Sequence, residues 1–211
     1  MNKLFKILSL LAVAMTANTA WSNEWNFDVY LDDSKMGQHS FVLNSAAELT
    51  STANFKVKIL FFNAYQYEHS AVETWQGDCL SSLSAHTVED KVTTAVKAKL
   101  SAQTLRVEDG KSKQNLPACS MTFAYWNPKI VEQSKLLNPQ NAEYLDTKFT
   151  KLGSEQIEVK GQKITATHYQ LNGSLAGKPK LNIELWYNAA NEWVALQSTT
   201  PEGYKIRYKL R

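Results

Sequence analysis

Cysteine is nearly absent from this chain: its 211 residues carry 2, Cys79 and Cys119. They stand too far apart for a C-x-x-C redox pair and have no Cys or His beside them to complete a zinc clip. No Cys stands close behind the N-terminal apolar run, so a lipid anchor is not expected there. Histidine is scarce as well, with 4: His39, His69, His86 and His168. None stands at H-x-H or H-E-x-x-H spacing, so no metal site and no cofactor is expected. No G-x-S-x-G elbow offers a nucleophile. The 8 Gly fall singly, at turns, and form no phosphate-cradling loop. Beyond Met15 no apolar run approaches the roughly 18 residues of a membrane-spanning helix. A dominant charge is missing too. Lys and Arg number 23 against 20 Asp and Glu, spread along the chain, which disfavours a nucleic-acid partner.

What is present begins with a leader. Lys3 and Lys6 precede the apolar run Ile7 to Met15, and small residues follow up to Ala20 and Ser22. This order predicts a cleavable signal peptide over residues 1–22, cut after Ala20 or Ser22. Residues 23–211 then form one domain, exported in soluble form, with the periplasm as the expected compartment. Loss of Lys3 and Lys6 leaves that domain nearly neutral. An oxidising compartment makes a Cys79–Cys119 disulfide the expected state of the two thiols.

Strand patterns dominate the remainder. Trp25 to Leu31 and Phe55 to Ile59 alternate apolar with polar, Tyr65 to Trp75 is long and strand-like, and Lys163 to Leu171 reads as a nine-residue strand. Leu181, Ile183, Leu185 and Tyr187 share one face, opposed by Asn182, Glu184 and Trp186. Tyr204, Ile206, Tyr208 and Leu210 repeat the pattern after Pro201-Glu202-Gly203. One dry face and short connections predict antiparallel pairing. About 10–12 strands are expected, too many for a flat sheet. The fold class is therefore mainly β: a large curved antiparallel sheet, as a half-open or closed barrel. One short helix over 127–137 is predicted to plug it, with Asn127 as N-cap, Pro128 at N1 and Asn138-Pro139 as the stop.

The most distinctive stretch is Leu116-Pro117-Ala118-Cys119-Ser120-Met121-Thr122-Phe123-Ala124-Tyr125-Trp126-Asn127-Pro128. Its aromatics either anchor the helix to the sheet or wall a ligand pocket. In the second case Tyr125, Trp126 and Asn127, with Trp75 and Trp186 from strands, are the ligand-binding residues. Glu68, Glu73 and Glu184 sit in aromatic-rich strands and are the carboxylates to inspect. No catalytic residue is assigned.

Leu116 to Pro128, Leu137-Asn138-Pro139-Gln140, Ile183-Glu184-Leu185-Trp186-Tyr187 and Trp193-Val194-Ala195-Leu196 together resemble an uncharacterised family of exported proteobacterial proteins. The last two segments are also similar to a broader group of periplasmic β proteins, related in shape to the half-open barrels of lipoprotein carriers. The resemblance implies a curved antiparallel sheet around a helix or an apolar groove. It implies no enzymatic activity. The expected function is non-enzymatic binding or carriage of an apolar ligand, a lipid or fatty acyl group. The alternatives are an envelope structural or interaction module, and an enzyme on a barrel scaffold.

Overall fold

The computed structural model describes residues 22–59 and 62–211. Apart from Ser22, the leader expected over 1–22 lies outside the described residues. The strands are β1 (Asn23–Leu31), β2 (Ser34–Leu43), β3 (Glu48–Ile59), β4 (Phe62–Gln76), β5 (Cys79–Glu89), β6 (Val92–Ser101) and β7 (Thr104–Glu108). They continue as β8 (Lys113–Pro117), β9 (Lys135–Leu137), β10 (Tyr144–Val159), β11 (Gln162–Leu175), β12 (Lys178–Tyr187), β13 (Trp193–Thr199) and β14 (Lys205–Leu210).

All belong to one antiparallel sheet of 14 strands, ordered β8-β7-β6-β5-β4-β3-β2-β1-β14-β13-β12-β11-β10-β9. Each strand pairs with its sequence neighbour except at one seam, where β1 pairs with β14 from Phe27↔Leu210 to Leu31↔Ile206. The free edges, β8 and β9, therefore come from the middle of the sequence. No ladder joins them, and the sheet stays open. The segment 118–134 bridges the gap. Leu80 N donates to Ser120 O at 2.9 Å on one side, and Leu137 N to Met121 O at 2.9 Å on the other. Gln114 Nε2 reaches the Ala142 carbonyl at 2.6 Å, tying β8 to the turn after β9.

Two expectations are corrected. The strands number 14, not about 10–12. β10 escaped the pattern because most of it is exposed on both faces, so Lys148 to Val159 shows no dry side to alternate with a wet one. The helix over 127–137 is a single 3-10 turn, Pro128–Glu132. Its start was read correctly, since Asn127 Oδ1 accepts from Lys129 N at 3.0 Å. Its continuation lost to sheet pairing: Leu136 and Leu137 are fully buried as part of β9, opposite Leu145 and Tyr144.

Alternation decides which side chains face inward. Along β4, Tyr67, His69, Ala71, Glu73 and Trp75 are buried, while Ser70 is exposed. Close approach matters at Gly37, which pairs with Phe55 across the β2–β3 ladder. A Cβ there would overlap the Asn54 carbonyl oxygen. Gly37→Ala is expected to cost about 3 kcal/mol, because backbone cannot move aside as a side chain can. Urea unfolding measures it, and a cost under about 0.5 kcal/mol would show that β3 yields freely.

Candidate functional site

Turns of an antiparallel meander fall alternately at two ends. The 118–134 strap closes the end that holds the 77–78 turn, where Asn127 Nδ2 donates to Asp78 Oδ1 at 2.9 Å. The Cys79–Cys119 disulfide fastens it there. Trp126 sits under the strap against Trp75 and Trp25, with ring centroids 5.4 and 6.4 Å away. Below this plug lies a cavity of about 410 Å³. Its walls include Phe41, Phe55, Phe123, Trp126, Leu181 and Ile183. It reaches the segment 138–141 and Lys180 at the opposite end.

A polar cluster is set into these apolar walls. His39, Ala53, His69 and Thr87 are in register across β2, β3, β4 and β5. The small Ala53 leaves the two imidazoles 6.5 Å apart, centroid to centroid. His39 Nε2 is hydrogen-bonded to Ser51 Oγ at 2.8 Å and Nδ1 to Tyr208 Oη at 3.2 Å. His69 Nδ1 is hydrogen-bonded to Thr87 Oγ1 at 2.9 Å. Burial, then the charge of His69, holds His39 down at about 3, and burial, then the charge of His86, holds His69 at about 4. Both are neutral at pH 7. Two rows nearer the strap, Glu73 is 4% exposed and accepts from Thr122 Oγ1 at 3.2 Å. Burial raises its carboxyl to about 7.

The Ser51–His39 contact has the reach of a nucleophile and base, but little else of that machinery. A buried imidazole that protonates only near pH 3 is a weak base at neutrality. Ser51 lies mid-strand, in register with Phe41 on one side and Ala71 on the other, so its backbone is engaged in two ladders. No free backbone N–H is left there to hold an oxyanion. The cluster can bind and orient a polar group within an apolar chamber.

Residues 27–211 match the family described as Domain of unknown function (DUF6134). The chain belongs to that family. No curated protein matches it. This DUF6134 protein is similar in fold to the crystal structure of a beta-barrel-like protein of domain of unknown function DUF1849 from Brucella abortus. The two are 12% identical with a TM-score of 0.66, over 89% of this chain and 94% of that one. At that identity the likeness concerns the fold alone.

The candidates named from sequence divide in the DUF6134 fold. Tyr125 and Trp126 line the cavity. Trp75 packs edge-on against Trp126, and Asn127 caps the 3-10 turn and holds Asp78; neither lines the cavity. Trp186 is on the outer face. It stacks on His168 at 4.4 Å, and its Nε1 donates to Glu155 Oε1 at 2.6 Å, under the β10–β11 hairpin. Of the three carboxylates, Glu73 faces inward. Glu68 and Glu184 take the opposite parity, with Gln66 and His168 as partners. Sequence reasoning missed the His39–Ser51–His69 grouping. Its signal was parity: both imidazoles occupy apolar-face positions of their strands, beside Phe41 and Tyr67. Among the described residues no group of three or more His, Cys, Asp or Glu is placed to hold a metal. No helix among them is long and apolar enough to cross a membrane.

Proposed function

We propose that this protein binds and carries an apolar small molecule, a lipid or fatty acyl group, within its barrel-like sheet, without catalysing a reaction. The observation that carries this reading is the cavity of about 410 Å³ beneath the strap. Its volume falls within the range of small-molecule sites, roughly 300–1,000 Å³. The walls are mainly aromatic and aliphatic, with a few polar groups converging on one region, as such sites require. Export to the periplasm completes the proposal. The leader pattern of residues 1–22 supports it, and so does a disulfide, which persists in oxidising compartments. An interaction module would present a contiguous apolar patch. The large apolar side chains exposed among the described residues, Val72, Val92, Leu152 and Tyr204, are scattered singly.

The test is native mass spectrometry and lipid extraction of the protein purified from its own periplasm. A stoichiometric apolar ligand is expected. Ala71 lies in the cavity wall, 2% exposed. Ala71→Phe projects a ring into the chamber and is expected to reduce recovered ligand at least about ten-fold, with the β circular-dichroism signature kept. Repeated recovery of empty wild-type protein would sink the carrier reading.

A further inference from the structure

Tyr67 has a need that its neighbours do not meet. It is 5% exposed, and its Oη is buried without a hydrogen-bond partner. Such a hydroxyl destabilises the chain that holds it. Its ring lies nearly parallel to Phe55, Tyr65 and His69, at interplanar angles of 13°, 9° and 24°. These three near-parallel rings offer the hydroxyl no face to donate into. Two further buried donors lack partners, Nε1 of Trp75 and of Trp126. Their case differs: Trp75 has the Glu73 carboxyl beside it, and the two indoles meet at 88°, so an edge faces a ring. Tyr67 instead lines the cavity, one inward position from His69 on β4.

The charges around the chamber narrow what can answer Tyr67. Glu73, Glu89 and Glu143 line it. Lys180 is the single Lys or Arg among the described lining residues, and it is paired with Glu143 at 2.8 Å. His39 and His69 are neutral at pH 7 because burial disfavours their charged forms. An anionic head group would meet carboxyls and no unpaired cation. A neutral oxygen would meet neutral hydrogen-bonding groups.

Resting on the carrier reading above, we propose that the cavity selects an uncharged, oxygen-bearing amphiphile of the acylglycerol type over a free fatty-acid anion. An ester or hydroxyl oxygen of the ligand bonds Tyr67 Oη beside His39 and His69. The acyl chain runs past Phe41 toward Phe123 and Trp126. Selectivity then comes from one neutral hydrogen bond gained and from the charge repulsion an anion would meet.

The experiment titrates three probes at pH 8 into delipidated wild type and Tyr67→Phe: monopalmitoylglycerol, palmitate and the hydrocarbon probe diphenylhexatriene. Monopalmitoylglycerol is expected to bind at least about ten times more tightly than palmitate. Tyr67→Phe is expected to weaken monopalmitoylglycerol about ten-fold and to leave diphenylhexatriene unchanged. The same variant is expected to raise the melting temperature of the empty protein, because it removes an unpartnered buried hydroxyl. Palmitate binding as tightly as the ester overturns the inference. So does an unchanged ester affinity, or an equal loss of all probes, in Tyr67→Phe. In those cases binding to the wild type leaves the carrier reading standing. Failure of all three probes to bind the wild type overturns the carrier reading itself.

Discussion

Replacing Cys79 and Cys119 together by serine is expected to lower the unfolding free energy by about 4 kcal/mol. This is the chain-entropy value for a cross-link at a sequence separation of 40. The location adds a second consequence. The bridge joins the first residue of β5 to the start of the strap that spans the sheet's open edges. Without it the strap keeps its other polar ties, among them Ser120 O to Leu80 N, Met121 O to Leu137 N, Thr122 to Glu73, Asn127 to Asp78 and Tyr125 O to Tyr187 Oη. Met121, Ala124 and Ile130 keep it packed as well. The folded state is therefore expected to survive, with a lower denaturation midpoint and faster amide exchange at Leu80 and Leu137. Guanidinium unfolding of the double variant, and of wild type under reductant, should agree. A loss below about 1 kcal/mol would show that packing alone fixes the strap.

Most of the sheet was legible because alternation is a local signal. β12 buries Ile183, Leu185 and Tyr187, as their parity assigns, and β14 half-buries Ile206, Tyr208 and Leu210. The gaps have physical causes. β10 is wet on both faces over much of its length, so periodicity is silent there. β8 is short and ends on Pro117, which is acceptable at a sheet edge and reads as a breaker in isolation. At the strap, the capping chemistry of Asn127 and Pro128 was read correctly and its extent was not. Ending the turn depended on a distant partner, β10, which offered Leu136 and Leu137 a ladder. The site followed the same division. Tyr125 and Trp126 were visible as an unusual block in one segment. The His39–His69 row is assembled by register across four strands, which one strand's pattern does not encode.

Stability is expected to peak near pH 6.5, and Glu73→Gln is expected to change the shape of that profile. The two imidazoles shape the acid side. Unfolded, each protonates near 6.5; folded, His39 protonates at about 3 and His69 at about 4. As pH falls below 6.5 the unfolded chain takes up protons that the native cavity refuses. Stability then falls by roughly 1.4 kcal/mol per pH unit for each histidine. Glu73 acts in the opposite sense. Its folded value of about 7 lies above its ordinary 4.5, so its contribution is fully present below pH 4.5 and is lost as pH rises through 7. The full loss is about 3 kcal/mol. Between pH 6.5 and 4.5 the histidines outnumber the carboxyl, and a net loss of about 3 kcal/mol is expected. Glutamine keeps an oxygen for Thr122 and cannot ionise. Relative to wild type, Glu73→Gln should therefore gain about 3 kcal/mol on going from pH 4.5 to pH 8, while its acid limb steepens as the opposing carboxyl is removed. Urea midpoints at pH 4.5, 6.5 and 8 measure both effects. A wild type and a Glu73→Gln variant whose stabilities run parallel across that range would mean that Glu73 ionises in the cavity without penalty. The chamber beneath the strap would then be wetter than its walls imply.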